Sequence, residues 1–236
     1  MFEWPIALGI ILGLTLASIA SHKMDVLGGI IGGLIAICIY AGGGFNGLGL
    51  LMVFFVAGTM ASQWKMPEKI RLGLAQDNKG TRTVRNAVAN GGMAALFGLL
   101  AWAFPDNRDF FHAVLAATLA SATGDTLSSE LGNVYGRHFV NIVTGKRAQR
   151  GLDGVISLEG TLLGAAGSLL IALGYAWGTQ LWIPAIWVAV AGICGNTADS
   201  VLGATIQRRG YLTNDAVNFA NTVVASLVMM GGLMLA

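Results

Sequence analysis

Two aspartates follow long apolar stretches of the chain, in positions where a carboxylate needs a partner. Asp125 lies in the segment 121–132 together with Glu130, and Asp199 lies 74 positions after Asp125 in a segment of similar pattern. A carboxylate in such apolar surroundings costs at least about 2.5 to 3.5 kcal/mol unless it is paired or binds a metal. The alternative for Asp125 is a helix cap at the end of the apolar stretch.

Packing of these two segments side by side would bring the two aspartates together. Two adjacent carboxylates either share a proton or hold a divalent cation, and oxygen ligands with neighbouring hydroxyl groups suit Mg²⁺. We therefore predict that Asp125 and Asp199 hold a metal ion together.

A stretch rich in cations and glycines lies between the two aspartates in the sequence. Because it precedes an apolar run, its backbone N–H groups and a helix N-terminus can receive phosphate oxygens, although it is not a Walker A sequence. The candidate phosphate-binding residues are Lys146, Arg147, Arg150, Gly151, Asp153 and Gly154. An ordinary basic loop is the alternative, above all for Lys146 and Arg147.

A third polar feature is a stripe at the start of the last apolar run. Asp215, Asn218 and Thr222 share one helical face, with Asn214 and Asn221 beside them. Such a stripe should face the protein interior, where it forms a ligand or metal site or joins helices by hydrogen bonds. A smaller stripe opens the fourth apolar run and consists of Arg82, Arg85, Asn86 and Asn90.

The elements that must position these residues are membrane helices. Of 236 residues, 55% are hydrophobic and only 11% charged, whereas soluble domains carry about 25% charged residues. Since a bilayer crossing takes about 20 apolar residues, we predict an all-α, polytopic transmembrane bundle of eight helices in one domain, 1–236. The predicted spans lie near 4–20, 26–40, 48–61, 86–104, 111–123, 158–177, 181–194 and 217–235.

The distribution of charge predicts the orientation of these spans. Every Lys and Arg except Arg108 falls in the loops after the first, third, fifth and seventh spans. Of the acidic residues, only Glu3, Asp106 and Asp109 fall on the opposite side. The positive-inside rule places the basic loops in the cytoplasm. We therefore expect a multi-pass protein of the plasma membrane or an organelle membrane, with polar loops and active face cytoplasmic and both termini outside.

Other features narrow the function. The chain start lacks a basic leader and a small-residue cleavage site, so the first apolar run is expected to stay as a span. The basic residues are confined to loops, without the aromatic-basic pattern of a nucleic-acid groove, so no nucleic acid is expected. Cys38 and Cys194 are expected to be inert thiols, and the three histidines receive no role. The sequence does not decide between a monomer and a homodimer.

Several motifs resemble a known family. They are ATGDTLSSELG at 122–132, RGLDGVISLEGT at 150–161, DSVLGATIQ at 199–207 and NDAVNF at 214–219. In these motifs the chain resembles the integral-membrane family called domain of unknown function 92, which includes the plant phytyl-phosphate kinases. Two positions depart slightly from the family pattern and bear on substrate choice. One is Glu159, and the other is Leu152, where the family often has Thr or Ser.

The resemblance implies a membrane prenyl-phosphate kinase that transfers a phosphoryl group from a nucleoside triphosphate, CTP or another, to phytyl or geranylgeranyl phosphate. The isoprenoid tail would lie between spans and its phosphate at the cytoplasmic face. Asp125, Glu130 and Asp199 would bind Mg²⁺. The residues that would neutralise or complete the phosphate site are Lys146, Arg147, Arg150, Asp153, Asp215 and Asn218. The alternatives are a lipid-phosphate cytidylyltransferase, and a transporter or flippase for an anionic lipid or solute.

Overall fold

The chain is folded almost entirely into helices. The structure is a computed structural model that describes residues 3–75 and 80–235. Its helices are α1 (Glu3–Ala20), α2 (Val26–Gln63), α3 (Met66–Arg71), α4 (Val84–Ala103), α5 (Arg108–Tyr135), α6 (Leu158–Thr179), α7 (Trp182–Leu202) and α8 (Asn214–Leu235). A 3-10 turn at Pro105–Asn107 precedes α5, and a π-helical turn at Gly203–Gln207 follows α7. The predicted all-α transmembrane bundle is confirmed.

A small ribbon interrupts the helical pattern between α5 and α6. Its strands, β1 (Val140–Asn141) and β2 (Val155–Ile156), pair antiparallel, with Val140 opposite Ile156. The ribbon joins the two ends of the α5–α6 loop, which carries the predicted phosphate-binding residues. Strands of two residues leave too little periodicity for the sequence to reveal them.

Helix α2 is a hairpin of two arms. At Gly44 the backbone leaves the helical conformation, with φ 59° and ψ −152°, which favours glycine. The arm 45–63 folds back on the arm 26–43, so that a Cβ at Gly47 would lie 3.3 Å from the carbonyl oxygen of Ile39. The predicted spans near 26–40 and 48–61 are therefore both present, joined by this tight reversal.

Six helices of the described part are long and apolar enough to cross a membrane: α1, α2, α4, α6, α7 with its π-helical turn, and α8. When both arms of α2 are counted and the enclosed α5 is added, the described helices match the eight predicted spans in number and order.

Helix α5 is the centre of the bundle. Its residues 112–124 are buried without interruption, and it packs against α2, α4, α6, α7 and α8. Glycines bring α6 close, because a Cβ at Gly124 would lie 3.0 Å from the Gly164 carbonyl oxygen and one at Gly132 would lie 2.8 Å from Gly160 Cα. Small residues at such crossings let membrane helices approach closely.

Helices α5 and α7 run beyond the predicted apolar spans, which ended near residues 123 and 194. They continue to Tyr135 and Leu202, so Asp125 and Asp199 lie inside helices. The helix-cap alternative for Asp125 is therefore wrong. Hydropathy falls where the side chains turn polar, but the helical hydrogen bonds continue past that point.

The loops that carry most of the charge meet at one end of the bundle. Residues from the α1–α2, α2–α4, α5–α6 and α7–α8 connections line one cavity there. At the opposite end, Arg108 Nε donates a 2.7 Å hydrogen bond to the Gly42 carbonyl oxygen. The predicted separation of charge thus holds for the described residues, and Asp77 and Lys79 lie outside them. That the charged end faces the cytoplasm stays a prediction.

Candidate active site

A polar cavity of about 860 Å³ occupies the charged end of the bundle. Its wall is formed mainly by the C-terminal ends of α5 and α7, the N-terminal ends of α4 and α8, and the loop before α6. Its charged and amide side chains include Asp25, Arg82, Arg85, Asn86, Asn90, Asp125, Glu130, Asn133, Asp153, Asn196, Asp199, Asp215 and Asn218. The cavity therefore combines carboxylates, cations and amides, the groups needed to bind a metal and phosphates.

Asp125 and Asp199 form the centre of this cavity. Their half-buried carboxyl groups, from α5 and α7, lie next to each other. Two carboxyl groups approach so closely only when one is protonated or when a cation neutralises them. Glu130 adds negative charge near Asp125, and Asp153 adds it near Asp199. The structure thus joins the two segments that were predicted to pack side by side.

The polar stripe of α8 holds Asp199 in place. Asn221, fully buried, donates a 2.9 Å hydrogen bond to Asp199 Oδ1 and accepts one of 2.9 Å from Ser121 Oγ. With its side-chain nitrogen turned toward α7, Asn218 donates to the same Asp199 oxygen at 3.3 Å. A carboxylate held by two amides has a fixed position, which favours a ligand-binding role.

Glu130 is paired with a buried lysine from outside the predicted site. Lys69 of α3 is 2% exposed, and its Nζ lies 2.5 Å from Glu130 Oε2. The lysine also donates to the carbonyl oxygens of Ala61, at 2.8 Å, and Ser62, at 3.2 Å. The Glu130 carboxylate at the cavity wall is thus neutralised by Lys69, and its role as a metal ligand stays a prediction.

Arg82 provides a cation at the cavity wall. Its guanidinium lies 4.7 Å from the ring centroid of Phe54 and 5.6 Å from that of Phe55. Its backbone N–H donates to the Lys23 carbonyl oxygen at 2.9 Å, which joins the α2–α4 connection to the α1–α2 loop. Burial lowers the pKa of Arg82 to about 10, against the opposing effect of Glu130, so the side chain is still cationic at neutral pH. Exposed Arg85 lines the same wall.

The three basic side chains of the α5–α6 loop that were predicted to bind phosphate do not line the cavity. Lys146 and Arg147 are exposed, and Arg150 is half-buried with its guanidinium 5.9 Å from the Phe139 ring centroid. Phe139 lines the cavity, but none of these three cations is among the described residues that do. Of the loop residues predicted to bind phosphate, the structure brings only Gly151, Asp153 and Gly154 to the cavity.

Two glycines of the α5–α6 loop allow it to pack closely against neighbouring segments. Gly151 and Gly154 have φ angles of 83° and 66°, in the left-handed region. A Cβ at Gly154 would collide with the backbone of Ala204 in the π-helical turn after α7. Glycine therefore allows the loop to lie directly against the end of the helix that carries Asp199.

Helices α4 and α8 are joined through Asp215, which accepts a 3.2 Å hydrogen bond from Asn86. Asn86 in turn accepts from the Thr83 backbone N–H at 3.0 Å and caps α4. One turn further, buried Asn90 donates to the Asn86 carbonyl oxygen at 3.0 Å, while its side-chain oxygen has no partner among the described residues. Hydrogen bonding between helices accounts for Asp215, and Asn90 offers an acceptor at the cavity wall.

The donor set of the cavity fits Mg²⁺. Asp125 and Asp199 place two carboxylates side by side, and Mg²⁺ in proteins often takes one or two carboxylates together with water and substrate phosphates. The part of the chain that the structure describes has no group of three or more His, Cys, Asp and Glu side chains arranged to hold a metal. The other ligands of such an ion would be oxygen atoms of other kinds, such as those of substrate phosphates and water.

Comparison with known proteins relates most of the chain to one family. The model of the family described as integral membrane protein DUF92 matches residues 9–226. An uncharacterized membrane protein of Methanocaldococcus jannaschii is 36% identical over 186 residues, which cover 78% of this chain and 75% of that protein. An uncharacterized membrane protein of Synechocystis is 31% identical over 200 residues, or 84% of this chain and 78% of that protein.

A plant protein is similar over a comparable length. Protein VTE6, chloroplastic, of Arabidopsis thaliana is 32% identical over 192 residues, which cover 78% of this chain and 58% of the plant protein. No solved structure matches the chain.

Proposed function

The chain belongs to the integral membrane protein DUF92 family, and on that premise we propose that it is a membrane prenyl-phosphate kinase. An oxygen of an isoprenyl monophosphate would form a bond to the γ-phosphorus of a nucleoside triphosphate. The bond from that phosphorus to the β,γ-bridging oxygen would break, giving an isoprenyl diphosphate and a nucleoside diphosphate. The resemblance to plant phytyl-phosphate kinases and the similarity to VTE6 support this reaction.

The contact between Asp125 and Asp199 is the observation that carries the proposal. Phosphoryl transfer depends mainly on positioning and on electrostatic stabilisation of the phosphates. A cavity that holds two adjacent carboxylates near an arginine offers both a metal site and an anion site. The lipid phosphate is itself an anionic nucleophile, so the reaction needs little help from a general base.

The roles of individual side chains follow from their places in the cavity. Asp125 and Asp199 would hold Mg²⁺, with Asp199 oriented by Asn221 and Asn218. The ion would neutralise charge on the nucleotide phosphates. Arg82 would bind an anionic phosphate through its N–H groups, which suit phosphate oxygens.

The predicted loop residues keep supporting roles in this proposal. Gly151 and Gly154 would let the α5–α6 loop lie over the site, with Asp153 facing Asp199. Lys146, Arg147 and Arg150 would add positive charge around it, and Glu130 would act beside Asp125 in its pair with Lys69.

We further propose that the cavity faces the cytoplasm, because the basic loops surround it and basic loops of membrane proteins lie preferentially on that side. Nucleoside triphosphates would then reach it directly from solution. The protein itself is an integral multi-pass membrane protein.

The position of the cavity favours an enzyme over a transporter. Transporter sites lie near the middle of the bilayer, between repeats with broken helices, whereas the polar side chains here gather at one end of the bundle. Cytidylyl transfer onto a lipid phosphate would use the same carboxylates and arginine, so its distinction from the kinase depends on the products.

An assay of the purified protein in lipid vesicles tests the proposal. We expect geranylgeranyl or phytyl phosphate, Mg²⁺ and a nucleoside triphosphate to give the isoprenyl diphosphate and a nucleoside diphosphate. Asp125→Asn should abolish turnover, and Asp106→Asn, at the opposite end of the bundle, serves as the matched control. Pyrophosphate release with a nucleotide-linked lipid would instead show cytidylyl transfer, and accumulation of unmodified substrate inside the vesicles would show transport.

A further inference from the structure

A second, apolar cavity adjoins the polar one. It has a volume of about 100 Å³ and lies between α1, the α2 hairpin and α4. Its wall includes Leu14, Leu51 and Met52, and its lining is mostly apolar. Arg82 and Asn86 line both cavities, so the two cavities meet at these two side chains. We call the second cavity the α1–α2 groove.

Glycines form part of the groove wall. Gly29, Gly32 and Gly33 of α2 and Gly91 of α4 all line it. At Gly32 a Cβ would meet only the flexible end of Met24, with its Cε 3.2 Å away. The absence of a side chain at Gly32 therefore leaves room for a branched methyl group of a ligand.

The groove is accessible from the lipid side of the bundle. Helix α1 packs mainly against α2, most of its surface is exposed, and Leu14, which lines the groove, is itself 37% exposed. In a membrane those exposed side chains contact lipid tails. A molecule that diffuses in the bilayer can therefore reach the groove beside α1 without crossing the polar cavity.

Arg82 gives the junction of the two cavities its charge. The rings of Phe54 and Phe55 lie against its guanidinium and also line the groove. Stacking on aromatic rings fixes the plane of a guanidinium while its N–H edges stay available to an anion. The junction thus has a held cation with an apolar groove on one side and the carboxylate pair on the other.

We propose that the α1–α2 groove binds the isoprenyl chain of the lipid phosphate, with the phosphate at Arg82. This proposal rests on the proposed kinase function and names the part of the site that selects the lipid. The groove is small, so it holds the isoprene segment next to the phosphate, and the rest of the chain stays in the bilayer. The positive charge at one end and the apolar wall beyond it match an amphiphile with an anionic head.

Photo-crosslinking tests the groove without using the reaction. The probe is a geranyl phosphate that carries a diazirine in its first isoprene unit, next to the phosphate, and it is added to the protein in vesicles without nucleotide. We expect labelling of residues of α1 and of the α2 hairpin that line the groove, and protection by excess unlabelled geranylgeranyl phosphate. Labelling spread over lipid-facing residues elsewhere, or no protection, would show that bilayer lipid fills the groove and would overturn the proposal.

Matched glycine variants sharpen this test. Gly32→Val fills the groove, whereas Gly49→Val places the same side chain on the same helix, where nothing lies within 4 Å. We expect labelling to fall by about tenfold in Gly32→Val, the change in affinity expected when about two methylene groups lose their burial. Labelling of Gly49→Val should stay at the wild-type level. Equal labelling of both variants would contradict the proposal.

A variant on the other wall serves if Gly32→Val does not fold. Leu14→Trp fills the groove from α1, at a side chain that is 37% exposed and outside the packed core. Its labelling should fall as in Gly32→Val. Because binding is read without nucleotide, specific labelling of a protein that makes no diphosphate would reject the kinase and keep the groove. Turnover without labelling in the groove would support the kinase and reject the groove as the site of the isoprenyl chain.

Discussion

Lys69 and Glu130, from different helices, form an ion pair of 2.5 Å in which the side chains are 2% and 8% exposed. The pair joins the short helix α3 to α5 at the wall of the polar cavity, which Glu130 lines. A charge buried to this degree is costly without its partner, because it has lost its water. The pair therefore ties the integrity of the cavity wall to a residue that lies outside the predicted site.

Loss of the lysine alone should destabilise the protein strongly. Lys69→Met leaves the Glu130 charge without its ammonium partner, and breaking a buried pair in this way typically costs about 3 to 5 kcal/mol. Thermal unfolding in detergent measures the change. Lys65→Met is the control, because Lys65 forms an exposed pair with Glu68 at 3.8 Å, and such pairs contribute about 0 to 1 kcal/mol.

A double replacement separates charge from packing. Lys69→Met combined with Glu130→Leu should recover part of the lost stability, since an apolar pair leaves no isolated charge. Equal unfolding temperatures for Lys69→Met and Lys65→Met would show that the buried pair does not stabilise the fold.

Arg82 and Arg147 give a direct comparison of the cavity wall with the exposed loop. Arg82→Gln removes a cation that lines the cavity, whereas Arg147→Gln removes the same charge from an exposed site. A hydrogen bond to a charged group contributes about 2 kcal/mol, so Arg82→Gln should lower kcat/KM for the lipid phosphate roughly thirtyfold. Arg147→Gln should change it little. Equal decreases of kcat/KM in the two variants would show that the α5–α6 loop also binds the phosphate.

The same residue predicts a dependence on pH. Because its pKa is lowered to about 10, the cationic form of Arg82 is present at neutral pH and is lost as the pH rises through that value. Lipid-phosphate binding that depends on Arg82 should therefore weaken at alkaline pH, and Arg82→Gln should lack this decline. Binding of the photoreactive probe across the alkaline range measures it.

Gly154 and Gly145 offer a pair of glycines with the same φ angle of 66°. Gly145→Ala meets nothing within 4 Å and brings only backbone strain, of order 1 kcal/mol. Gly154→Ala adds a collision with Ala204, which should displace the loop from the end of α7 and lower turnover much more. Turnover and thermal unfolding of both variants measure the difference, and similar losses would mean that close packing of this loop is unimportant.

The helices and the central carboxylates could be predicted from sequence for clear reasons. Long apolar runs and the separation of charge set the crossings, because lipid allows few other solutions. Asp125 and Asp199 stood out because each follows such a run directly. The hairpin at Gly44 left both arms visible as separate spans.

The rest of the site depended on burial, which sequence does not show. Lys69 has the same local pattern as other loop lysines, yet α3 turns it into the bundle. Arg82 was noted only as part of a small stripe, and the loop cations Lys146 and Arg147 looked equally suited to phosphate. Which cation lines a cavity depends on how distant segments pack, and no short motif encodes that.

The enclosure of α5 has a consequence for biogenesis. It is not among the six described helices that are apolar enough to cross a membrane by composition, because its sides face other helices and not lipid. A nascent α5 that meets the insertion machinery alone would gain little from partitioning into hydrocarbon. It should therefore enter the bilayer together with a neighbouring helix. The segment that carries Asp125 then takes its place only after that neighbour is available.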